Sequence, residues 1–270
     1  MSDASTRLQA VLRDLGPVAV AVSGGVDSMT LAHVAHDLLG DAAMMVHAIS
    51  PAVPSDATAR VERHAERAGW ALRKIDAGEQ SDPRYRANPV DRCFYCKTNL
   101  YGSIAPLLAR HADGAAIVSG TNLDDLGDYR PGLRAADEHG VRHPYVEAEI
   151  DKSRVRQLAR ELGLEDLAEL PAAPCLASRI ETGIEVTSER LTLIDAIEAV
   201  LREKAPLATI RARIRFDGLV LELDVIAMAA VDGAVRSGVS QLAREGGLVG
   251  EIAYEPYRKG SAFLREAVTR

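Results

Sequence analysis

Val18-Ala19-Val20-Ala21-Val22-Ser23-Gly24-Gly25-Val26-Asp27-Ser28 runs from an unbroken apolar stretch through a glycine pair into a segment rich in Leu, Ala and Val. A short apolar run ending at glycine reads as a strand buried on both faces, and Ser28 to Leu39 reads as the helix that follows it. The loop between them gathers backbone N–H groups, serine hydroxyls and a helix N-terminus around one point, which is what an anionic phosphate requires. Glycine lets the backbone approach phosphate oxygens without a Cβ in the way. A lone Gly-Gly pair beside Asp and Ser is more often a turn that caps a helix. Here the strand before, the helix after and the flanking hydroxyls favour the phosphate reading. No Gly-Lys-Ser/Thr follows and no triplet of spaced glycines is present, so this is neither a Walker loop nor a dinucleotide fingerprint.

Outward from this loop the first part of the chain alternates strands and helices. Strands are expected at Met44 to Ile49, Ala71 to Ile75 and Ala115 to Ser119, and helices at Ala57 to Ala68, Cys96 to Arg110 and Lys152 to Leu162. That alternation implies parallel crossovers and a doubly wound α/β sheet, with a ligand site at the carboxyl ends of its strands. Leu170-Pro171-Ala172-Ala173-Pro174 interrupts the pattern and places a boundary between a domain over 1–172 and a smaller α+β domain over 173–270. In the second domain Ser188 to Lys204 is a helix with apolar Leu191, Ile194, Ile197, Val200 and Leu201. Thr209 to Phe216 and Leu219 to Asp224 flank Asp217-Gly218 as a hairpin, followed by one helix from Ala227 to Arg244 and a strand near Val249 to Tyr254.

Composition bounds the function only by exclusion. At 270 residues, 47% hydrophobic and 26% charged, the chain reads as an ordinary globular protein. A formal net charge of -7 argues against a broad nucleic-acid footprint and leaves room for a local basic pocket. The longest apolar runs fall far short of the roughly twenty residues of a membrane helix, and the N-terminus lacks a basic region followed by an apolar one, so a cytoplasmic location and no membrane partner are expected. Three cysteines are too few for a secreted disulfide framework. Trp70 reads as packing, His33 and His36 show no third metal ligand, and Glu62 to Arg67 reads as a solvated helix face.

The phosphate loop resembles the PP-loop, Ser-Gly-Gly-x-Asp-Ser, of the ATP pyrophosphatases, whose fold is adenine nucleotide alpha hydrolase-like. The resemblance implies that Ser23, Gly24, Gly25, Val26, Asp27 and Ser28 bind the pyrophosphate of ATP with Mg2+. In-line attack at the α-phosphorus would leave the substrate as an adenylate, which turns a poor leaving oxygen into a good one. A second segment, Ser119-Gly120-Thr121-Asn122-Leu123-Asp124-Asp125-Leu126-Gly127-Asp128-Tyr129-Arg130-Pro131-Gly132, gathers small residues, carboxylates and one Arg after an expected strand. It reads either as an acidic surface loop or as part of the ligand site.

Arg92-Cys93-Phe94-Tyr95-Cys96-Lys97 carries a Cys-x-x-Cys, and Cys175 lies in Pro174-Cys175-Leu176-Ala177-Ser178-Arg179. The cysteines alone suit a structural zinc site that recruits a histidine such as His143, a redox dithiol, or an iron-sulfur cluster on three thiolates. Both cysteine segments, with Asn88-Pro89, the 119–132 segment, Arg211-Ala212-Arg213 and Tyr257-Arg258-Lys259-Gly260-Ser261, resemble the ATP-dependent sulfur transferases called LarE. That resemblance covers most of the chain. It implies adenylation of a carboxylate of pyridinium-3,5-biscarboxylic acid mononucleotide and its conversion to a thiocarboxylate in nickel-pincer nucleotide biosynthesis. It further implies catalytic roles for Cys175 and Asp27, and nucleotide binding by Gly120, Thr121, Asp128 and Arg130. Arg179, Arg211 and Arg213 would bind the substrate, and the chain would assemble as a homo-oligomer.

Two chemistries exist in that family. In one, a single cysteine at the Cys175 position surrenders its sulfur. In the other, three cysteines hold a 4Fe-4S cluster that carries a further sulfide. The pattern of Cys93, Cys96 and Cys175 follows the second, and the upstream sulfur donor is not legible. Rival readings are a PP-loop tRNA thiolation enzyme, which the acidic charge disfavours, and an amidating synthetase, which has no use for the cysteines.

Overall fold

The computed structural model describes residues 2–111, 114–127, 131–248 and 250–258. The chain divides into two compact units, Met1–Tyr85 with Asp91–Leu170, and Arg86–Val90 with Pro171–Arg270.

The first unit holds α1 (Asp3–Leu15), β1 (Val18–Ala21), α2 (Val26–Leu39), β2 (Ala43–Ala48), α3 (Ser55–Ala68), β3 (Ala71–Ile75) and α4 (Pro83–Arg86), which runs up to the join between the units. It continues with α5 (Arg92–His111), β4 (Ala116–Val118), α6 (Pro131–Glu138), α7 (Pro144–Glu147), α8 (Lys152–Glu161) and α9 (Glu165–Ala168). Its four strands are all parallel, in the order β3-β2-β1-β4. This is the doubly wound sheet expected from the sequence.

Alternation along the strands divides the core into two layers. Val18, Val20, Ala43 and Met45 pack with α1, α2, α3, α8 and α9, whereas Ala19, Met44 and Val46 pack with Tyr101, Ile104 and Leu108 of α5 and Ala136 of α6. The strand order reverses at β1, whose neighbours are β2 and β4, so the crevice between the loops after β1 and β4 is the switch point where ligands bind such sheets. Helix α1 was not anticipated from the sequence, although Ser2 accepts from the Ser5 N–H as its N-cap and Leu8 and Leu12 bury one face.

The second unit holds α10 (Ser188–Arg202), β5 (Ile210–Arg215), β6 (Gly218–Leu223), α11 (Val225–Ala229), α12 (Gly233–Glu245) and β7 (Ala253–Pro256). β5 and β6 are antiparallel, and β7 joins β6 in parallel. The hairpin is as expected, but Arg215 pairs with Gly218, so its two-residue loop is Phe216-Asp217 rather than Asp217-Gly218. The single helix expected over 227–244 is two helices, because Asp224 caps α11 and Asp232 caps α12. An Asp that bonds the N–H groups ahead of it starts a helix and so ends the one before. The last strand lies later than expected, and Val249 is outside the described residues.

Residues 86–90 are tied into the second unit by Asn88. Its side-chain amide donates to the carbonyls of Ile180, Glu181 and Ile184 at 3.3, 2.8 and 2.8 Å, and its own carbonyl accepts from the Gly183 N–H. Among the described residues no helix is long and apolar enough to cross a membrane.

Candidate active site

The loop after β1 is built by small residues under tight constraint. Gly24 has φ +80°, and a Cβ there would stand 2.7 Å from the Ala57 carbonyl oxygen at the start of α3. Arg60 on the same helix donates to the Gly24 carbonyl at 2.9 Å. Ser28 draws the loop closed, since its hydroxyl donates to the Gly25 carbonyl at 3.2 Å and accepts from the Ser23 N–H at 3.0 Å. The Ser23 hydroxyl lies 3.0 Å from that same oxygen. Gly25 is the N-cap of α2 and offers no side-chain cap, while the first N–H groups of a helix have no carbonyl within it to meet. A positive end of a helix dipole is therefore presented at the carboxyl edge of β1, where an oxyanion is stabilised.

The loop after β4 lies directly on this helix end. A Cβ on Gly120 would come within 2.7 Å of the Ser28 nitrogen and 2.9 Å of the Asp27 carbonyl carbon, so only glycine permits the approach. Ser119 bonds at once to Thr121 (Oγ to Oγ1, 3.0 Å) and to His143 Nδ1 (2.9 Å). Burial holds the His143 pKa below the usual histidine range, despite the opposing pull of Glu147 and Asp125.

Asp27 is the hub of the site. Its Oδ1 accepts from the Asn122 side-chain amide at 3.1 Å, and its Oδ2 faces Lys152 Nζ at 2.5 Å. Its backbone carbonyl accepts from the Tyr145 hydroxyl at 3.0 Å, and burial pushes the Tyr145 pKa well above its ordinary value. Lys152 opens α8 behind its N-cap Asp151, and its own N–H donates to Asp124 at 3.0 Å. Asn122 and Lys152 thus converge on the Asp27 carboxylate, and Tyr145 on the carbonyl of the same residue. Asp27 and Ser28 were expected here, while Asn122, Tyr145 and Lys152 were not singled out. The one signal for Lys152 was its place at the start of an expected helix. Asp128 and Arg130 lie outside the described residues.

The cysteines fall in both units. Cys93 and Cys96 occupy the first turns of α5, three residues apart on one helical face, and both are half-buried. The intervening aromatics are held by cations: the Arg134 guanidinium lies 3.8 Å from the Phe94 ring centroid and that of Arg84 5.1 Å from Tyr95. Cys175, in the second unit, is exposed. Among the described residues no group of three or more His, Cys, Asp or Glu within either unit is arranged to hold a metal ion.

Around Cys175 the three arginines singled out in the sequence are all buried. Arg179 forks onto Glu198 of α10, Nε to Oε1 at 2.9 Å and Nη2 to Oε2 at 3.2 Å. Arg211 donates to the carbonyls of Ile210 and Ala172. Arg213 pairs with Glu222 at 2.7 Å and donates to the Ser178 carbonyl at 3.0 Å. Burial, then the nearby charge of Arg179, lowers the Arg211 pKa to about 10, which leaves it charged at neutral pH. Lys259, Gly260 and Ser261 lie outside the described residues.

A parallel sheet with a serine-glycine phosphate loop at its switch point, and a second loop packed onto the same helix end, define an ATP-using enzyme of the PP-loop class. No family model matches the chain. An uncharacterised protein of Synechocystis is 40% identical over 189 residues, 70% of each chain. The pyridinium-3,5-bisthiocarboxylic acid mononucleotide synthase of Lactiplantibacillus plantarum is 33% identical over 217 residues, 80% of this chain and 78% of that one. An ammonia-dependent NAD+ synthetase of Halobacterium salinarum is 29% identical over 230 residues, 74% and 77% of the two. The chain belongs to the LarE family of pyridinium-3,5-bisthiocarboxylic acid mononucleotide synthases.

Proposed function

We propose that this enzyme adenylates a carboxylate of pyridinium-3,5-biscarboxylic acid mononucleotide and replaces AMP with sulfur, giving a thiocarboxylate in nickel-pincer nucleotide biosynthesis. The observation that carries the reading is the convergence of Asn122, Lys152 and the α2 N-terminus on Asp27, in a chain 33% identical to a synthase of that product. In-line attack by a substrate carboxylate oxygen on the α-phosphorus of ATP forms an acyl-adenylate, a mixed anhydride with AMP, as the bond to pyrophosphate breaks. The loop N–H groups and the Ser23 and Ser28 hydroxyls would receive that pyrophosphate, and Asp27 is the carboxylate that would hold a magnesium ion, which would neutralise phosphate charge. Lys152 supplies the mobile positive charge at the scissile bond, moving from the Asp27 oxygen to the phosphate as negative charge develops there. A sulfur nucleophile then adds to the carbonyl carbon, the bond to AMP breaks, and AMP leaves as a stable anion.

On the family resemblance, Cys93 and Cys96, which share one helical face, and Cys175 are the residues that would hold a 4Fe-4S cluster, whose ligation by cysteine thiolate is ordinary chemistry. Such a cluster, when bound, would carry the sulfide for transfer and spare the protein its own sulfur. Arg211 and Arg213 are the proposed partners of the substrate phosphate; an anion there would offset the crowding of buried positive charge around Arg211. A homo-oligomer is the proposed assembly, on family grounds alone. Pyrophosphate and AMP release that depends on both the pyridinium mononucleotide and a sulfur source is the expected result. Release driven by ammonia or by tRNA instead would transfer the chain to an amidating or tRNA-thiolating role.

A further inference from the structure

The segment that presents Cys175 has little structure of its own. Residues 171–175 belong to no helix or strand, and prolines at 171 and 174 deny it two backbone donors. Its carbonyls are instead held by neighbouring side chains. Arg179 Nη1 lies 2.6 Å from the Pro174 oxygen and 3.2 Å from the Cys175 oxygen, and the Ser178 hydroxyl donates to the Cys175 oxygen at 2.8 Å. The same Nη1 is 3.1 Å from Ser178 Oγ. Arg211 and Arg213 add bonds to Ala172 and Ser178.

The other edge of Arg179 is fixed by Glu198, and the pair is only 1% and 0% exposed. Glu198 is satisfied twice more, by Arg202 Nη2 at 2.6 Å and by the Ala212 N–H at 3.0 Å. The carbonyls flanking an exposed thiol are thereby referenced to α10 and β5 through one planar guanidinium. Lysine could match the charge but not the fork. Desolvation makes a buried ion pair a poor device for stability alone, since packed apolar residues serve as well or better.

We propose that Arg179, only 1% exposed and held by Glu198, does not bind the substrate as the family resemblance implies but is a positioning residue that fixes the backbone on both sides of Cys175, so that its sulfur is presented in a single geometry for transfer. This inference rests on the reading of Cys175 as a sulfur-handling residue. A loop free to sample several conformations would leave the adenylation step intact and slow the delivery of sulfur, because a shift of about 1 Å at a reacting atom costs on the order of a hundredfold in rate.

The test is single-turnover kinetics on the full chain, with ATP and the pyridinium mononucleotide, following pyrophosphate and thiocarboxylate separately in wild type, Arg179→Lys, Ser178→Ala and Cys175→Ala. In Arg179→Lys, pyrophosphate is expected to appear within about twofold of the wild-type rate while thiocarboxylate forms at least tenfold more slowly. Ser178→Ala, which removes one exposed-side bond and leaves the ion pair, is expected to show the same split at about threefold, and it carries the test if Arg179→Lys melts below the assay temperature. Equal slowing of both steps, or no slowing of the second, would overturn the positioning role. Wild-type thiocarboxylate formation by Cys175→Ala would instead overturn the reading beneath it.

Discussion

Of the two glycines in the loop after β1, only Gly24 is there because of what lies against it. Gly24 combines a left-handed φ with the Ala57 carbonyl at its missing Cβ, so Gly24→Ala is expected to cost about 2–4 kcal/mol and to abolish pyrophosphate release. Gly25 has an ordinary backbone and only Ser23 Oγ at 3.7 Å, so Gly25→Ala should keep the wild-type melting temperature within a few degrees; parallel melts of the two variants check the contrast. Lys152 is the residue whose loss should be most specific to chemistry. Lys152→Met is expected to lower the rate of pyrophosphate formation by about 10²–10³ while the protein stays folded, because Asn122 still holds the Asp27 carboxylate. Circular dichroism together with a pyrophosphate assay would show whether fold and rate separate in this way.

At the scale of elements, α2, α3 and α9 are joined by a chain of rings, half-buried at His33 and buried at His64 and Trp70. His64 Nε2 donates to Asp166 at 3.0 Å, its Nδ1 lies 3.0 Å from His33 Nε2, and the Trp70 ring lies 4.7 Å from that of His33. The run Glu62 to Arg67 was expected to be a solvated face, but His64 and Ala65 turn inward while their neighbours stay exposed. Burial and the adjacent His64 lower the His33 pKa to about 4. A neutral His33 therefore stabilises the fold fully above its unfolded value near 6.5, and that contribution fades as pH falls toward about 4. Allowing for solvent screening at a partly exposed ring, the loss between pH 7 and pH 5 is about 1 kcal/mol. Thermal melts should show a drop of about 2–4 °C that is absent from His33→Leu. In the second unit, Asp232→Ala removes the side chain that accepts from the Val235 N–H at 2.8 Å at the start of α12, and a loss of about 1 kcal/mol is expected by denaturant titration.

For the whole molecule, the cluster proposal is the one whose test needs no activity. Protein reconstituted without oxygen is expected to bind about four iron and at least as much acid-labile sulfide per chain, and each of Cys93→Ala, Cys96→Ala and Cys175→Ala should lower that content. Iron-free protein that loses sulfur-bearing mass from Cys175 after turnover would place the chain with the single-cysteine chemistry instead. What residue order alone determined was much of what depends on local periodicity, though not α1 or the break between α11 and α12: the buried strand at Val18, the glycine loop, the helix after it, the alternation that demands a parallel sheet, and the hairpin in the second unit. Hydrophobic period and turn chemistry act over a few residues and leave a legible trace. Tertiary structure alone decided which distant side chains share a charge. Lys152 meets Asp27 across 125 positions, and Glu198, an acidic residue on an otherwise apolar helical stripe, becomes the buried anchor of Arg179. Such pairings depend on the register of packed elements, and no spacing along the chain encodes them.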